Sequence, residues 1–133
     1  MKRSLQRYTY ATGSPWEPIV GYSRAIRVGS TVHVSGSTAT DAQGAVVGVG
    51  DAYVQTLQAL RKVERALVRA GATLRDVVRT RIYVTNIALW QDIGRAHREL
   101  LGDVRPACTM VQVAALVDPA MLVEIEAEAI VSS

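Results

Sequence analysis

Between Val123 and Ile130 the chain alternates without a break: Val123, Ile125, Ala127 and Ala129 are apolar, and Glu124, Glu126 and Glu128 stand between them. Successive strand residues point to opposite faces, so this stretch predicts a strand over residues 122–130 with one buried and one acidic face. That excludes an all-helical bundle. The apolar face needs a layer of helices, and two are legible. Over residues 51–70, Tyr53, Leu57, Leu60, Val63 and Leu67 fall on one helical face, with Asp51 placed as N-cap and Gly71 as terminator. A second helix is expected over residues 87–101, with Leu89, Ile93, Ala96 and Leu100 inward, Asn86 as cap and Gly102 after the last turn.

The remaining strands are shorter signals. Residues 25–28 and 31–35 flank Gly29-Ser30, a two-residue loop of the kind that closes a hairpin. Residues 77–84 are rich in β-branched side chains, and a further strand is expected over 109–114. A turn at residues 40–44 leads into 45–49, a strand or an extended segment. Residues 8–20 hold two prolines, a glycine and three aromatics in neither hydrophobic period, which predicts an irregular arm on the surface. The order of elements makes an α+β fold, a mixed sheet with two helices packed on one face.

The chain has 133 residues, 49% of them hydrophobic and 20% charged, which fits one domain over residues 1–133. A chain this long buries roughly two-thirds of its unfolded surface, and small sheet domains often gain further burial by self-association. Cys108 is the single cysteine, so no internal disulfide forms and a reduced compartment, the cytoplasm, is the expected setting. Residues 1–7 are basic but lead into no apolar stretch of signal-peptide length, and no apolar run has membrane-spanning length. Export and a membrane partner are therefore not expected. The net charge is +3, with Arg61, Lys62, Arg65, Arg69, Arg75, Arg79 and Arg81 set against Glu64 and Asp76. Such a cluster could meet phosphate, but the spacing of Arg61, Arg65 and Arg69 is also that of a solvated helix face. The second reading is preferred, and nucleic acid is not an expected partner.

Five segments in register carry a resemblance. They are Gly21-Tyr22-Ser23-Arg24-Ala25, Val34-Ser35-Gly36, the stretch from Ala70 to Val78, Pro106-Ala107, and Val123-Glu124-Ile125-Glu126-Ala127. Together they resemble the YjgF/YER057c/UK114 or Rid family over about residues 19–131. The resemblance implies a chorismate-mutase-like fold and a homotrimer whose three inter-subunit clefts bind small carboxylic acids. It implies hydrolysis of reactive imines or enamines with no metal and no organic cofactor. Tyr22, Ser35 and Gly36 match the substrate-binding positions, and Glu124 matches the glutamate that positions water, the catalytic role.

Three polar positions depart from that pattern. Cys108 stands where the deaminating members carry the arginine that grips the substrate carboxylate, Ser37 replaces a glutamine, and Gly94 replaces an asparagine. A hydrogen bond to a charged group contributes about 1.5–3 kcal/mol, so losing that clamp predicts roughly tenfold to hundredfold or more in affinity. Either another cation serves, Arg105 or more weakly Arg24, or the substrate has changed. Arg105 and Cys108 are accordingly candidate substrate-binding residues, although a lone cysteine is commonly a small apolar group. Two alternatives stand beside the hydrolase: a non-catalytic metabolite-binding trimer and, less favoured, the L-PSP endoribonuclease activity of some relatives. His33 and His97 lack a second ligand at metal spacing and read as packed or surface residues, and Trp16 and Trp90 read as packing.

Overall fold

The computed structural model describes residues 6–132; the basic residues 1–5, part of the stretch read above as lacking a signal-peptide core, lie outside them. In chain order the elements are β1 (Arg7–Tyr10), α1 (Trp16–Val20), β2 (Ala25–Val28), β3 (Thr31–Thr38), α2 (Ala52–Arg69), β4 (Val77–Val84), α3 (Trp90–Leu101), β5 (Ala107–Gln112) and β6 (Val123–Ile130). Short 3-10 turns, Leu74–Asp76 and Ile87–Leu89, precede β4 and α3. The strands form one sheet in the order β1-β2-β3-β6-β4-β5, antiparallel throughout except for the parallel pair β4–β5.

The alternating strand lies in the middle of this sheet, between β3 and β4. Val123, Ile125, Ala127 and Ala129 are buried against the helices, as their spacing demands, while the three glutamates face the uncovered side. α2 packs on β3 and β6 and against α3, and Leu60, Leu67, Ile82, Ile93, Leu101 and Ile125 make the fully buried centre. Asp51 caps α2 by accepting from the Val54 amide at 3.0 Å. Gly71, with φ +84°, takes the left-handed turn that leaves the helix.

Three expectations change, and one open alternative is decided. The arm at residues 8–20 is not irregular, because its first residues pair with β2 as β1, and α1 follows. A buried Glu17 holds it, accepting from the Thr12 amide and from Thr12 Oγ1 at 2.6 Å. Of the two readings left open for residues 45–49, the strand is not formed, since only the isolated bridge Thr40–Val46 is made there. The second helix begins later than Ile87, because the Asn86 side chain caps Ala88 and tightens the first turn to 3-10 geometry. Tyr53 is half-buried rather than inward, with its hydroxyl donating to Glu99 and Arg95 stacked on its ring. The inward place belongs to Gln55, which bonds the Ala120 carbonyl and the Leu122 amide and so fixes the start of β6.

One irregularity positions the site. Val34 pairs with Ala127 and Ser37 with Ile125, so Ser35 and Gly36 together stand opposite Glu126. This is a β-bulge, one extra residue on β3. It lets Val34 and Ser37 both face the helices and be buried.

Candidate functional site

Glu124 lies at the start of β6, paired with Thr38 on one side and Tyr83 on the other. Its carboxylate rests over the bulge, where a Cβ on Gly36 would overlap Oε2 and come 2.9 Å from Cδ. Glycine at this position therefore makes room for the acid. Burial raises the Glu124 pKa above the usual carboxylate range, Arg24 opposes that, Glu126 adds to it, and Lys62 opposes it. Among the described residues the carboxylate has no hydrogen-bonding partner, and no buried side-chain polar atom is left unsatisfied, so its oxygens are open to solvent or ligand.

Arg24, only 7% exposed, holds the bulge in shape. One guanidinium nitrogen donates to the Gly36 carbonyl at 2.9 Å, to Ser37 Oγ at 2.7 Å and to the Ser35 carbonyl at 3.3 Å. Ser35 Oγ donates to the Ser23 carbonyl at 2.6 Å, closing the same corner. Tyr22 is half-buried there, its ring centroid 5.9 Å from the Arg24 guanidinium carbon. The structure thus brings Tyr22, Ser35, Gly36 and Glu124 to one end of the sheet. It assigns Arg24 to the fold of that end.

The sequence reading does not single out Lys62, which stands there only as one of the seven cations of the basic cluster. Its ammonium donates to the Thr38 carbonyl at 3.0 Å and to Thr40 Oγ1 at 2.6 Å. Burial, and then the positive charges of Arg24 and Arg65, push its pKa down to about 8, with Glu124 opposing. A signal was present: Lys62 sits three residues after Ala59 and four before Ala66, on a face whose alanines are both buried.

The other two glutamates of the strand have partners. Tyr83 donates its hydroxyl to Glu126 at 2.6 Å, and Arg81 donates to Glu128 at 2.7 Å and lies 3.7 Å from Glu126. The Arg81 hydrogen bond holds the Glu128 pKa below the usual range. A shallow groove runs along this face between Ile26, His33, Ser35, Arg81, Glu126 and Glu128.

Arg105 and Cys108 lie elsewhere in the chain. Cys108 is exposed on the edge strand β5, in the row of Thr80 and Ala127. Two strand spacings and three residues separate it from Glu124, roughly 14 Å between Cα atoms. Arg105 precedes β5 with φ +52°, a left-handed conformation at a non-glycine residue, and its side chain is exposed. Within one chain neither reaches the corner that holds Glu124.

His33 is exposed, and His97 is half-buried with its Nε2 2.9 Å from Thr80 Oγ1. No cluster of three potential metal ligands occurs among the described residues. Trp16 and Trp90 are about half exposed rather than packed away. The basic cluster is largely engaged: Arg61 pairs with Glu64, Arg69 reaches the Ala11 carbonyl and the Tyr10 ring, and Arg81 and Lys62 are bonded as described. No helix among the described residues is long and apolar enough to cross a membrane.

Comparison with known proteins places this geometry. A family profile described as endoribonuclease L-PSP matches residues 12–131. A Streptomyces coelicolor protein is 37% identical over 118 residues, covering 89% of this chain and 87% of its own. The 3-aminoacrylate deaminase RutC of Acinetobacter baylyi is 36% identical over 113 residues, covering 85% and 88%. A crystal structure of a YjgF/YER057c/UK114 family member from Mycobacterium tuberculosis superposes with a TM-score of 0.87 at 48% identity, covering 95% of this chain and all of that one. The mixed sheet with its helices on one face is the architecture of these relatives, and the chain belongs to the YjgF/YER057c/UK114 (Rid) family, the endoribonuclease L-PSP proteins.

Proposed function

We propose that the protein is a cytoplasmic hydrolase of a reactive imine or enamine bearing a carboxylate, acting in clefts between the subunits of a homotrimer. The observation that carries this reading is Glu124: a half-buried carboxylate of raised pKa, without a partner in its own chain, seated on Gly36 beside two cations. Such a group can accept a proton from water as the water oxygen bonds to the imine carbon. It returns that proton to the nitrogen, giving a carbinolamine, and then carries the carbinolamine hydroxyl proton to the amine as the C–N bond breaks, so that imine and water give carbonyl and ammonia. A raised pKa brings the acid nearer to neutral pH, where proton transfer in both directions is efficient.

The trimer is supported by what one chain lacks. Arg105 and Cys108 are too far from Glu124 to share a ligand within a protomer, so a shared cleft requires the edge strand of one subunit to approach the Glu124 corner of another. Trp16, Ile19 and Val20 form an exposed apolar side of α1, next to Tyr22, that such an approach would cover. In this reading Arg105 or backbone amides hold the ligand carboxylate, and Cys108 replaces a cation with a neutral wall. The Acinetobacter baylyi relative is named for an enamine deamination, which supports the same class of chemistry here. The engagement of Arg61, Arg69 and Arg81 with their own chain weighs against an RNA substrate.

The test is ammonia release from 2-iminopropionate made in situ and from 3-aminoacrylate, with wild type, Glu124→Ala and Cys108→Arg. Turnover by wild type that Glu124→Ala abolishes supports the reading. Turnover by Cys108→Arg alone keeps the cleft but changes the substrate. Thermal stabilisation by carboxylic acids without turnover in any variant marks a binding protein instead.

A further inference from the structure

Arg61, Arg65 and Arg69 of α2 are exposed, and Lys62 is not. Ala59 and Ala66, one turn before and after it, leave room for its stem to lie against the sheet. Its ammonium docks on the Thr38 carbonyl, and Thr38 is the β3 residue paired with Glu124. The second acceptor, Thr40 Oγ1, belongs to a residue that Gln58 also ties to α2 through the Thr40 carbonyl at 3.0 Å. An ammonium has three donors, so one N–H is left uncommitted among the described residues.

The charged groups around this point are few. The charges that act on Lys62 are those of Arg24 in the segment before β2, Arg65 on its own helix and Glu124 on β6. Those that act on Glu124 are Arg24, Glu126 and Lys62, and Tyr83 stands beside it on β4. Arg24 is committed to the bulge, and a guanidinium keeps its charge at any working pH. Lys62 is the neighbour whose charge can change.

We infer that Lys62 is a positioning residue for Glu124: docked on the strand residue paired with that acid, its ammonium offsets part of the burial that disfavours the carboxylate, and loss of its proton withdraws that offset. The inference rests on the reading of Glu124 as the acid-base group and extends it to a residue on a different element. Because Lys62 is pushed down to about 8, the change falls close to physiological pH.

Carboxyl-carbon NMR titration of the full-length protein tests this without a substrate. The wild-type Glu124 resonance should show its own titration step and a second inflection near pH 8, where Lys62 loses its proton. Lys62→Gln, which retains a hydrogen-bond donor but no charge, should abolish the second inflection and move the first step to higher pH. Lys62→Arg should abolish the inflection and leave the first step in place. Where an imine is turned over, the acid limb of kcat/KM against pH should move up in Lys62→Gln and return in Lys62→Arg. A folded Lys62→Gln with an unchanged Glu124 titration overturns the inference, as does an inflection near pH 8 that survives in Lys62→Arg. Absence of turnover in wild type would sink the proposed hydrolysis alone, because the carboxyl titration still decides the role of Lys62.

Discussion

The two ends of β6 carry the same residue type on the same face at the same spacing, yet they do different things. Toward its C-terminal end, Glu126 and Glu128 are taken up by Tyr83 and Arg81, and the lowered pKa of Glu128 is that of an ion-paired surface acid. At its start, Glu124 meets a glycine, a strand bulge and the charges of Arg24 and Lys62, and burial raises its pKa. A strand's side-chain pattern states which face a residue occupies. What the neighbouring strands place opposite it decides whether that residue is structural or reactive.

The comparison breaks most sharply on activity. Glu124→Gln should lower kcat for imine hydrolysis by about 10²–10⁴-fold, the usual worth of a positioned acid-base group, while Glu128→Gln should leave it within a few-fold. Equal losses in steady-state ammonia release would erase the distinction. Gly36→Ala should come next. Its methyl displaces only the flexible end of Glu124, so turnover should fall at least tenfold, the factor that roughly 1.4 kcal/mol of lost transition-state stabilisation produces, with a melting temperature close to that of wild type.

The same pair should show opposite pH slopes in stability. Below about pH 4.5 Glu124 is protonated whether folded or not; above it the unfolded chain ionises first, so stability falls as pH rises until the folded group has ionised as well. Glu124→Gln removes that fall and should melt at or above the wild-type temperature at pH 7. Glu128, with its pKa lowered, contributes stability above about pH 4.5 that is lost as pH drops through its folded pKa, so Glu128→Gln should melt lower at pH 7. Thermal melts between pH 4 and 8 read both signs. The smallest effect belongs to Arg81→Met. It removes an exposed ion pair and should cost little stability and no activity; a large loss of turnover would mean that the paired end also serves the cleft.

Much of the fold was legible because hydrophobic periodicity survives wherever a whole face is buried. The β6 alternation and the α2 stripe each fixed an element and its inward side. β1 and α1 were not legible, since β1 is a short edge strand held by backbone pairing and α1 is a single turn stabilised by Glu17 and Thr12. Neither mechanism leaves a repeat. At the site, Glu124 and Gly36 were identified through the family resemblance, and the structure adds the reason they occur together. Arg24 was read as a spare cation for a ligand, but its three acceptors lie within the bulge. Lys62 did not stand out because a charged residue on an amphipathic helix is usually solvated, and only the small size of Ala59 and Ala66 pointed the other way.

The bulge at Ser35 and Gly36 adds one residue to that strand. Deleting Gly36 would leave Ser35 alone opposite Glu126, with Ser37 still paired to Ile125 and Thr38 to Glu124, so the strand would become regular and keep its register. The Gly36 carbonyl that receives Arg24 would be gone, and a side chain would stand where the Glu124 carboxylate rests. A deletion of one residue would thus spare the sheet and remove the acid's glycine seat.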